Sequence, residues 1–139
     1  MRSTKQKSEF DRTEEHTELV KDAQEYLRDH LGFFWKNASG AARHHGRIYH
    51  YGYPGSPDII GCYRSRFIGV ECKTGGATQN KNQRDFQKQF EAAGGIYAVV
   101  RCWGDVRQLV ARLKATLDPT PPPLLGYQPT PASFFRLAN

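Results

Sequence analysis

Two short apolar segments, joined by three polar residues, restrict the fold of this chain more than any other feature. The segments are DIIGCY (58–63) and FIGVECK (67–73), and RSR (64–66) separates them. Each segment has the length of a β-strand, and the polar connection suits a tight turn. We therefore predict that 58–73 forms an antiparallel hairpin.

Charged side chains stand at the open end of this predicted hairpin. Because side chains alternate along a strand, Glu71 and Lys73 point to one face and Cys72 points to the other. A turn near 64–66 pairs Asp58 roughly with Cys72. Asp58 then lies beside Glu71 and Lys73, so the hairpin predicts two carboxylates and one ammonium group at one edge of a sheet.

This cluster of charges suggests a chemistry. Two carboxylates a few Å apart repel each other unless a cation lies between them, and hard oxygen ligands suit Mg²⁺, with Mn²⁺ as a substitute. Such a metal polarises a phosphoryl oxygen and activates water, and Lys73 would orient that water or offset developing charge. The pattern indicates metal-assisted phosphodiester hydrolysis. The alternative interpretation is a surface carboxylate pair that Lys73 neutralises.

The rest of the sequence predicts a mixed α/β domain with the order helix, three strands, helix, strand, helix. The first helix starts after Thr13 as N-cap and has Leu19, Ala23, Leu27 and Leu31 on its apolar face. The segment 33–35 is predicted as a strand or buried turn. The other predicted elements are loops at 37–46 and 74–83, strands at 47–52 and 96–103, a second helix that follows the loop at 74–83 and ends at 92–95, and a helix at 104–117.

Three parts of the chain differ in composition. Residues 1–13 are polar and predicted to be flexible, and 14–117 form the predicted domain. Residues 118–139 are rich in proline, which disfavours helix and central strand, yet they carry several leucine and aromatic residues. We expect this segment to be an extended arm that packs on its own domain or on a partner subunit.

The charge of the protein favours an anionic partner. The 139 residues carry a net charge of +6, and a basic protein often binds nucleic acid through phosphate contacts, although such charge also serves solubility. No apolar run approaches the ~20 residues of a membrane span, and the N-terminus has no apolar signal segment. The chain has three widely spaced cysteines, Cys62, Cys72 and Cys102. An odd number at such spacing argues against a disulfide framework and predicts a reducing, cytoplasmic location.

The stretch from Tyr51 to Val106 resembles a known nuclease family. Pro57-Asp58 followed by Glu71-Cys72-Lys73 is similar to the PD-(D/E)xK signature. The glycine-containing segment before it, a downstream glutamine that opens a helix, a Gly-Gly helix end and the following apolar strand resemble the VRR-NUC branch. The resemblance extends over about 14–113 and leaves the proline-rich arm outside.

This resemblance implies a restriction-endonuclease-like core and metal-dependent cleavage of DNA. It implies that Asp58 and Glu71 bind the metal and that Lys73 assists the attacking water. The matching catalytic glutamine is Gln83. The family also places a glutamate on the first helix, which we assign to Glu15 because it continues the apolar stripe; the alternative is that the acids of this turn only interact with the helix dipole.

Basic residues outside the acidic cluster are candidates for DNA contact. One set lies in the predicted loop before the strand at 47–52, and the other lies on one face of the second helix at spacings of three and four residues. The alternative for both sets is solvent exposure without a partner. The first set is Arg43, His44, His45 and Arg47, and the second is Lys81, Arg84 and Lys88. The alternating Tyr49, Tyr51 and Tyr53 are expected in the core or at a dimer contact.

The sequence therefore predicts a Mg²⁺-dependent DNA endonuclease. The resemblance implies a stand-alone homodimer that acts on branched DNA such as four-way junctions, and a phage or bacterial source. Two other functions stay open. One is a non-catalytic DNA-binding module, or a subunit active only within a larger assembly. The other is a protein-interaction scaffold that uses the proline-rich arm.

Overall fold

The computed structural model describes the backbone of residues 9–119 and the side chains of residues 13–119. Most of the predicted flexible N-terminus and nearly all of the predicted C-terminal arm lie outside these residues. Within them, three helices and six strands form a mixed α/β domain. The elements are α1 (Glu9–Leu31), β1 (Phe33–Lys36), β2 (Gly40–His44), β3 (Arg47–Tyr51), β4 (Ile59–Tyr63), β5 (Arg66–Cys72), α2 (Lys81–Ala92), β6 (Ile96–Val100) and α3 (Trp103–Leu117).

The main sheet has four strands in the order β1-β4-β5-β6. Strand β4 is antiparallel to both β1 and β5, whereas β5 and β6 are parallel. The predicted hairpin is confirmed, since β4 and β5 are joined by a two-residue turn in which Arg64 and Ser65 have positive φ angles of 48° and 62°. Such a turn matches the twist of paired strands.

One face of the main sheet forms the hydrophobic core. Ile68, Val70 and Cys72 alternate along β5 and are fully buried there. Helices α1 and α3 cover this face, and they supply Val20, Ala23, Leu27, Val106, Leu109, Val110 and Leu113 to the core.

Helix α2 covers part of the opposite face. Phe90 of α2 lies 5.7 Å from Phe67 of β5, between ring centroids, and also packs against Tyr97 of β6. Glu71 belongs to this face, because it alternates with Val70 and Cys72. The structure thus confirms a mixed sheet with helices on both faces. None of the described helices is long and apolar enough to span a membrane.

The predicted loop at 37–46 is wrong in part, because 40–44 forms strand β2. It pairs with β3 in a separate two-stranded sheet, which we call the exposed hairpin (40–51). A two-residue turn at His45 and Gly46, with φ angles of 47° and 76°, makes the connection. The pattern hid this strand because every residue of both strands is exposed, so no hydrophobic alternation marks β2. With β1 also a strand, five strands and not three precede α2.

The first helix begins earlier than predicted. Helix α1 starts at Glu9, so Thr13 lies inside the helix and is not its N-cap. The backbone carbonyl of Thr13 accepts a hydrogen bond of 2.9 Å from the Thr17 hydroxyl, one helical turn later. The reason is local, since no proline or glycine between 9 and 13 stops the helix from extending toward the N-terminus.

Candidate active site

Asparagine 37 fixes the backbone that leads into Asp58. Its side-chain amide donates hydrogen bonds of 2.8 Å to the Ser56 hydroxyl and to the Pro57 carbonyl. Its backbone N–H donates to the Asp58 carbonyl at 2.7 Å. Pro57 is fully buried, and its ring lies over Gly69 of β5. The turn before β4 therefore holds Asp58 at the edge of the main sheet.

The Asp58 carboxylate is bound to the neighbouring strand. Its Oδ2 atom accepts a hydrogen bond of 2.8 Å from the Cys72 backbone N–H. Ile59 pairs with Val70, so continuing the register places Asp58 opposite Glu71, one residue away from the predicted partner Cys72. The predicted convergence of Asp58 with Glu71 at one edge of the sheet is present.

Glu71, Lys73 and Gln83 form a compact polar network. The Lys73 Nζ atom lies 3.0 Å from Glu71 Oε1 and 2.9 Å from Gln83 Oε1. The Gln83 side-chain amide donates to Glu71 Oε1 at 2.6 Å. Glu71 is 2% exposed and Lys73 is partly buried, so solvent screens this ion pair only weakly. The predicted common face of Glu71 and Lys73 is confirmed.

Helix α2 begins in a way that fixes Gln83. The Asn80 side chain accepts a hydrogen bond of 2.9 Å from the Gln83 backbone N–H, and the Asn80 backbone N–H donates to Gln83 Oε1 at 3.0 Å. This reciprocal pair is a capping box. Gln83 therefore stabilises the start of α2 and at the same time connects Lys73 with Glu71.

The charge balance at Glu71 is unfavourable for its ionised form. Burial is the main cause that raises the pKa of the Glu71 carboxyl, and the negative charge of Asp58 adds to it. The hydrogen bond and the positive charge of Lys73 lower this pKa but do not outweigh the other two effects. The ionised Glu71 carboxylate is thus compensated only in part by the positive charge near it.

The α1 side chain that contacts Asp58 is His16, one residue after the predicted Glu15. Its Nε2 atom lies 3.5 Å from Asp58 Oδ2 and 3.2 Å from the Cys72 carbonyl oxygen. Successive helical residues differ by about 100° around the axis, so Glu15 projects in a different direction.

The assignment of Glu15 as a metal ligand stays a prediction, and the structure places His16 beside Asp58. Steps of four residues, from Glu15 through Leu19, drift around the helix by about 40° each. Ala23 and Leu27 of the predicted stripe are buried, as is Val20 beside them, and His16 lies in phase with these three residues. A mixture of steps of four and three residues would have identified His16 from the sequence. No comparable sequence pattern predicts the hydrogen bonds by which Asn37 and Asn80 position the site.

The predicted basic loop is part of the exposed hairpin. Arg43, His44, His45 and Arg47 are all exposed, and the backbone pairs His44 with Arg47 across the two strands. The hairpin leaves the domain between Asn37 and Pro57, which are hydrogen-bonded to each other one residue before Asp58. Its base therefore adjoins the acidic cluster.

The basic side chains of α2 have different surroundings. Lys81, Arg84 and Lys88 are exposed, as a surface stripe requires. Lys81 forms an ion pair of 2.6 Å with Asp85, and the Arg84 guanidinium donates to the Gln79 carbonyl. These interactions hold two of the three cations near the start of α2.

The tyrosines beside the basic residues are not in the core. Tyr49, Tyr51 and Tyr53 are each at least half exposed, so packing in the core is wrong, whereas a dimer contact stays a prediction. Tyr49 and Tyr51 belong to a hairpin that packs no face on the domain, which explains their exposure. The Tyr53 ring contacts Phe86 of α2 at 5.5 Å between centroids.

Asp58 and Glu71 fit a hydrated divalent cation. Mg²⁺ needs only one or two protein carboxylates, because water and substrate phosphate complete its shell. The raised pKa of Glu71 shows that added positive charge would stabilise its ionised form. Between residues 13 and 119, no group of three or more His, Cys, Asp and Glu side chains is arranged to hold a metal ion. Two carboxylates would hold such an ion only together with water and substrate phosphate.

No protein-family model matches the chain, and no curated protein matches its sequence.

Proposed function

We propose that this protein is a metal-dependent DNA endonuclease of the PD-(D/E)xK type, with a restriction-endonuclease-like core and the VRR-NUC arrangement of motifs. The observation that carries the proposal is the convergence of Asp58, Glu71 and Lys73 at one edge of the sheet, with Gln83 hydrogen-bonded to two of them. A neutralised surface pair explains less, because Glu71 is almost fully buried although its charge is not fully compensated.

Each side chain has a defined task in this proposal. Asp58 and Glu71 would hold Mg²⁺, or Mn²⁺ in its place, and such an ion supplies Lewis acidity at a phosphoryl oxygen and lowers the pKa of bound water. Lys73 Nζ orients the attacking water and stabilises the negative charge that develops on the phosphate. Gln83 holds the Lys73 ammonium group and the Glu71 carboxylate in contact, so that neither has to reorganise during the reaction.

The exposed hairpin is one proposed DNA contact, and its base adjoins the acidic cluster. Arg43 and Arg47 bring positive charge to a surface that packs against nothing else in the described domain. Tyr49 and Tyr51 offer exposed aromatic rings, which stack on unpaired bases without sequence preference. Together these features suit branched DNA, where the duplex is interrupted. Lys81, Arg84 and Lys88 would follow a phosphate backbone along α2.

A homodimer is part of this proposal, and an uncovered aromatic surface supports it. Phe33 of β1 and Phe67 of β5 flank Cys62 in one row of the sheet, and Phe33 contacts Trp35. These three aromatic residues, which we call the aromatic strip, lie on the face that α2 covers only in part. Phe33 is 67% exposed and Phe67 is 45% exposed. Burying the strip against a second copy would remove apolar surface from water.

The test is a cleavage assay on defined DNA structures. The full chain is incubated with labelled four-way junction, flap, duplex and single-stranded DNA, in Mg²⁺, Mn²⁺ or EDTA, beside Asp58→Asn. We expect metal-dependent cutting that is strongest on branched DNA and lost in the variant. Salt-sensitive binding without cutting on any DNA would support the non-catalytic module instead. Binding to neither DNA nor RNA would support a protein-interaction scaffold.

A further inference from the structure

A single imidazole nitrogen faces two oxygen atoms of the acidic cluster. His16 Nε2 lies 3.2 Å from the Cys72 carbonyl oxygen and 3.5 Å from Asp58 Oδ2. The two oxygens come from different strand ends, and the nitrogen comes from α1. Three elements therefore meet at one point, although they are far apart in sequence.

The two distances from His16 Nε2 are close to the separation of neighbouring ligand atoms around one ion. Adjacent ligand atoms of an octahedral ion with bonds of about 2.1 Å lie about 3 Å apart. The two measured distances from His16 Nε2 exceed this spacing only slightly. One of the donors is a backbone carbonyl, so the set is compatible with the lack of a cluster of three metal-binding side chains among residues 13–119.

The position of His16 in its helix is unusual for a simple surface residue. It lies in phase with Val20, Ala23 and Leu27, which are buried in the core. The imidazole keeps solvent access, with 38% of its side chain exposed, so an ion can reach it.

We propose that His16 is a nitrogen ligand of the metal ion, together with Asp58 and the Cys72 carbonyl. This inference rests on the proposed nuclease function. As a ligand, the imidazole would carry its proton on Nδ1 and direct the Nε2 lone pair toward an ion between the two oxygens. With the proton on Nε2 instead, the same nitrogen donates a hydrogen bond to the Cys72 carbonyl oxygen at 3.2 Å. A mixed nitrogen and oxygen site favours Mn²⁺ over Mg²⁺, since imidazole suits transition metals whereas Mg²⁺ prefers oxygen. The competing role for His16 is a hydrogen-bond donor that only positions Asp58 and Cys72.

The experiment measures metal binding and not cleavage. The untagged, metal-free full chain is titrated with Mn²⁺ by calorimetry, and the bound ion is examined for ¹⁴N modulation by pulsed electron paramagnetic resonance. We expect nitrogen modulation in the wild type. His16→Ala should lose it and bind Mn²⁺ at least about tenfold more weakly. His16→Glu should keep binding without nitrogen modulation and should bind Mg²⁺ relatively better than the wild type does.

Two further variants make the outcomes distinct. His30→Ala is the matched control, because this exposed ring lies on the same helix and bonds the Tyr26 carbonyl. It should retain both affinity and nitrogen modulation. Asp58→Asn tests the site itself, and circular dichroism checks that each variant is folded.

The results separate the two proposals. If the wild type binds no Mn²⁺, or Asp58→Asn binds it equally well, the metal site of the proposed function is wrong. If Mn²⁺ binding requires Asp58 but shows no nitrogen modulation, the site stands and His16 is a positioning residue, which overturns this inference. Persistent nitrogen modulation in His16→Ala would also overturn it.

Discussion

At the scale of single residues, the buried charge of Glu71 dominates the behaviour of this site. Burial first and Asp58 second raise the pKa of the Glu71 carboxyl above its ordinary range. The folded protein therefore takes up this proton at higher pH than the unfolded chain does. Ionised Glu71 costs stability, and this cost is relieved as pH falls from the folded pKa toward the unfolded one.

The titration of Glu71 can be measured directly. In the metal-free protein, the side-chain carboxyl signal of Glu71 in ¹³C NMR should titrate above the ordinary glutamate range. Asp58→Asn removes the second cause of the shift while keeping an acceptor for the Cys72 N–H, so the midpoint should move down. Asp22→Asn, an exposed change on α1, should leave it in place. A midpoint that does not respond to Asp58→Asn would contradict the electrostatic account.

Gln83 should contribute more to the cleavage rate than its role in capping helix α2 accounts for. Gln83→Met removes the contacts to both Lys73 and Glu71, and we expect single-turnover cleavage to fall about 10- to 100-fold. Asn80→Ala removes the cap at a cost of about 1 kcal/mol but leaves the contacts of Gln83 to the ion pair. Equal losses of cleavage in the two variants, at equal thermal stability, would mean that Gln83 acts only through the helix.

At the scale of elements, the turn before β4 is packed tightly against the start of α2. Gly55 has a φ angle of +79°, and a Cβ atom on it would lie 2.2 Å from the Asn82 carbonyl oxygen. This close approach links the segment that carries Asp58 to the helix that carries Gln83. The two halves of the site therefore depend on one glycine.

Replacing Gly55 by alanine should lower the free energy of unfolding by more than the positive φ angle alone accounts for. Gly76 is a matched control, with φ of +76° and no atom within 4 Å of the position that a Cβ would take. Gly76→Ala should destabilise the protein by about 1 kcal/mol through backbone strain. Gly55→Ala should cost about 1–3 kcal/mol more, because the clash with backbone cannot relax easily. Urea unfolding measures both, and equal losses would show that the contact with α2 is unimportant.

The sequence predicted the secondary structure best where buried apolar residues alternate regularly with exposed or charged ones. The β4–β5 hairpin, α2, β6 and α3 were predictable because apolar periodicity and turn residues agree. Strand β2 was not, since none of its residues is buried and only the turn at His45 and Gly46 marks it. The cluster of Asp58, Glu71 and Lys73 followed from strand alternation. His16 was missed because the exact phase of α1 depends on which stripe packs, and that is a tertiary contact.

At the scale of the whole molecule, the net charge of +6 should act through particular surfaces. Proteins that neutralise phosphates release counterions, so their DNA affinity falls steeply with salt. The exposed hairpin presents Arg43 and Arg47 near its turn, and its base adjoins the acidic cluster. If these arginines contact phosphate, they account for part of the salt dependence.

Removing both arginines tests this surface. Arg43→Ala together with Arg47→Ala should weaken binding to four-way junction DNA and lower the slope of log affinity against log salt by about 2. Arg107→Ala together with Arg112→Ala is the control, because these exposed arginines lie on α3, on the other side of the sheet. Fluorescence anisotropy over a salt series measures both pairs. If the control pair reduces DNA affinity and its salt dependence more, the DNA-binding surface lies on α3 and not on the exposed hairpin.

The central claim is that the cluster of Asp58, Glu71 and Lys73 hydrolyses DNA. The most direct measurement is single-turnover cleavage of branched DNA by Lys73→Met in Mg²⁺ and in Mn²⁺, with DNA affinity measured on the same samples. Lys21→Met, an exposed lysine on α1, is the control. We predict that Lys73→Met loses at least about 100-fold in rate with little change in affinity, whereas the control cleaves normally. Wild-type cleavage by Lys73→Met would contradict the claim.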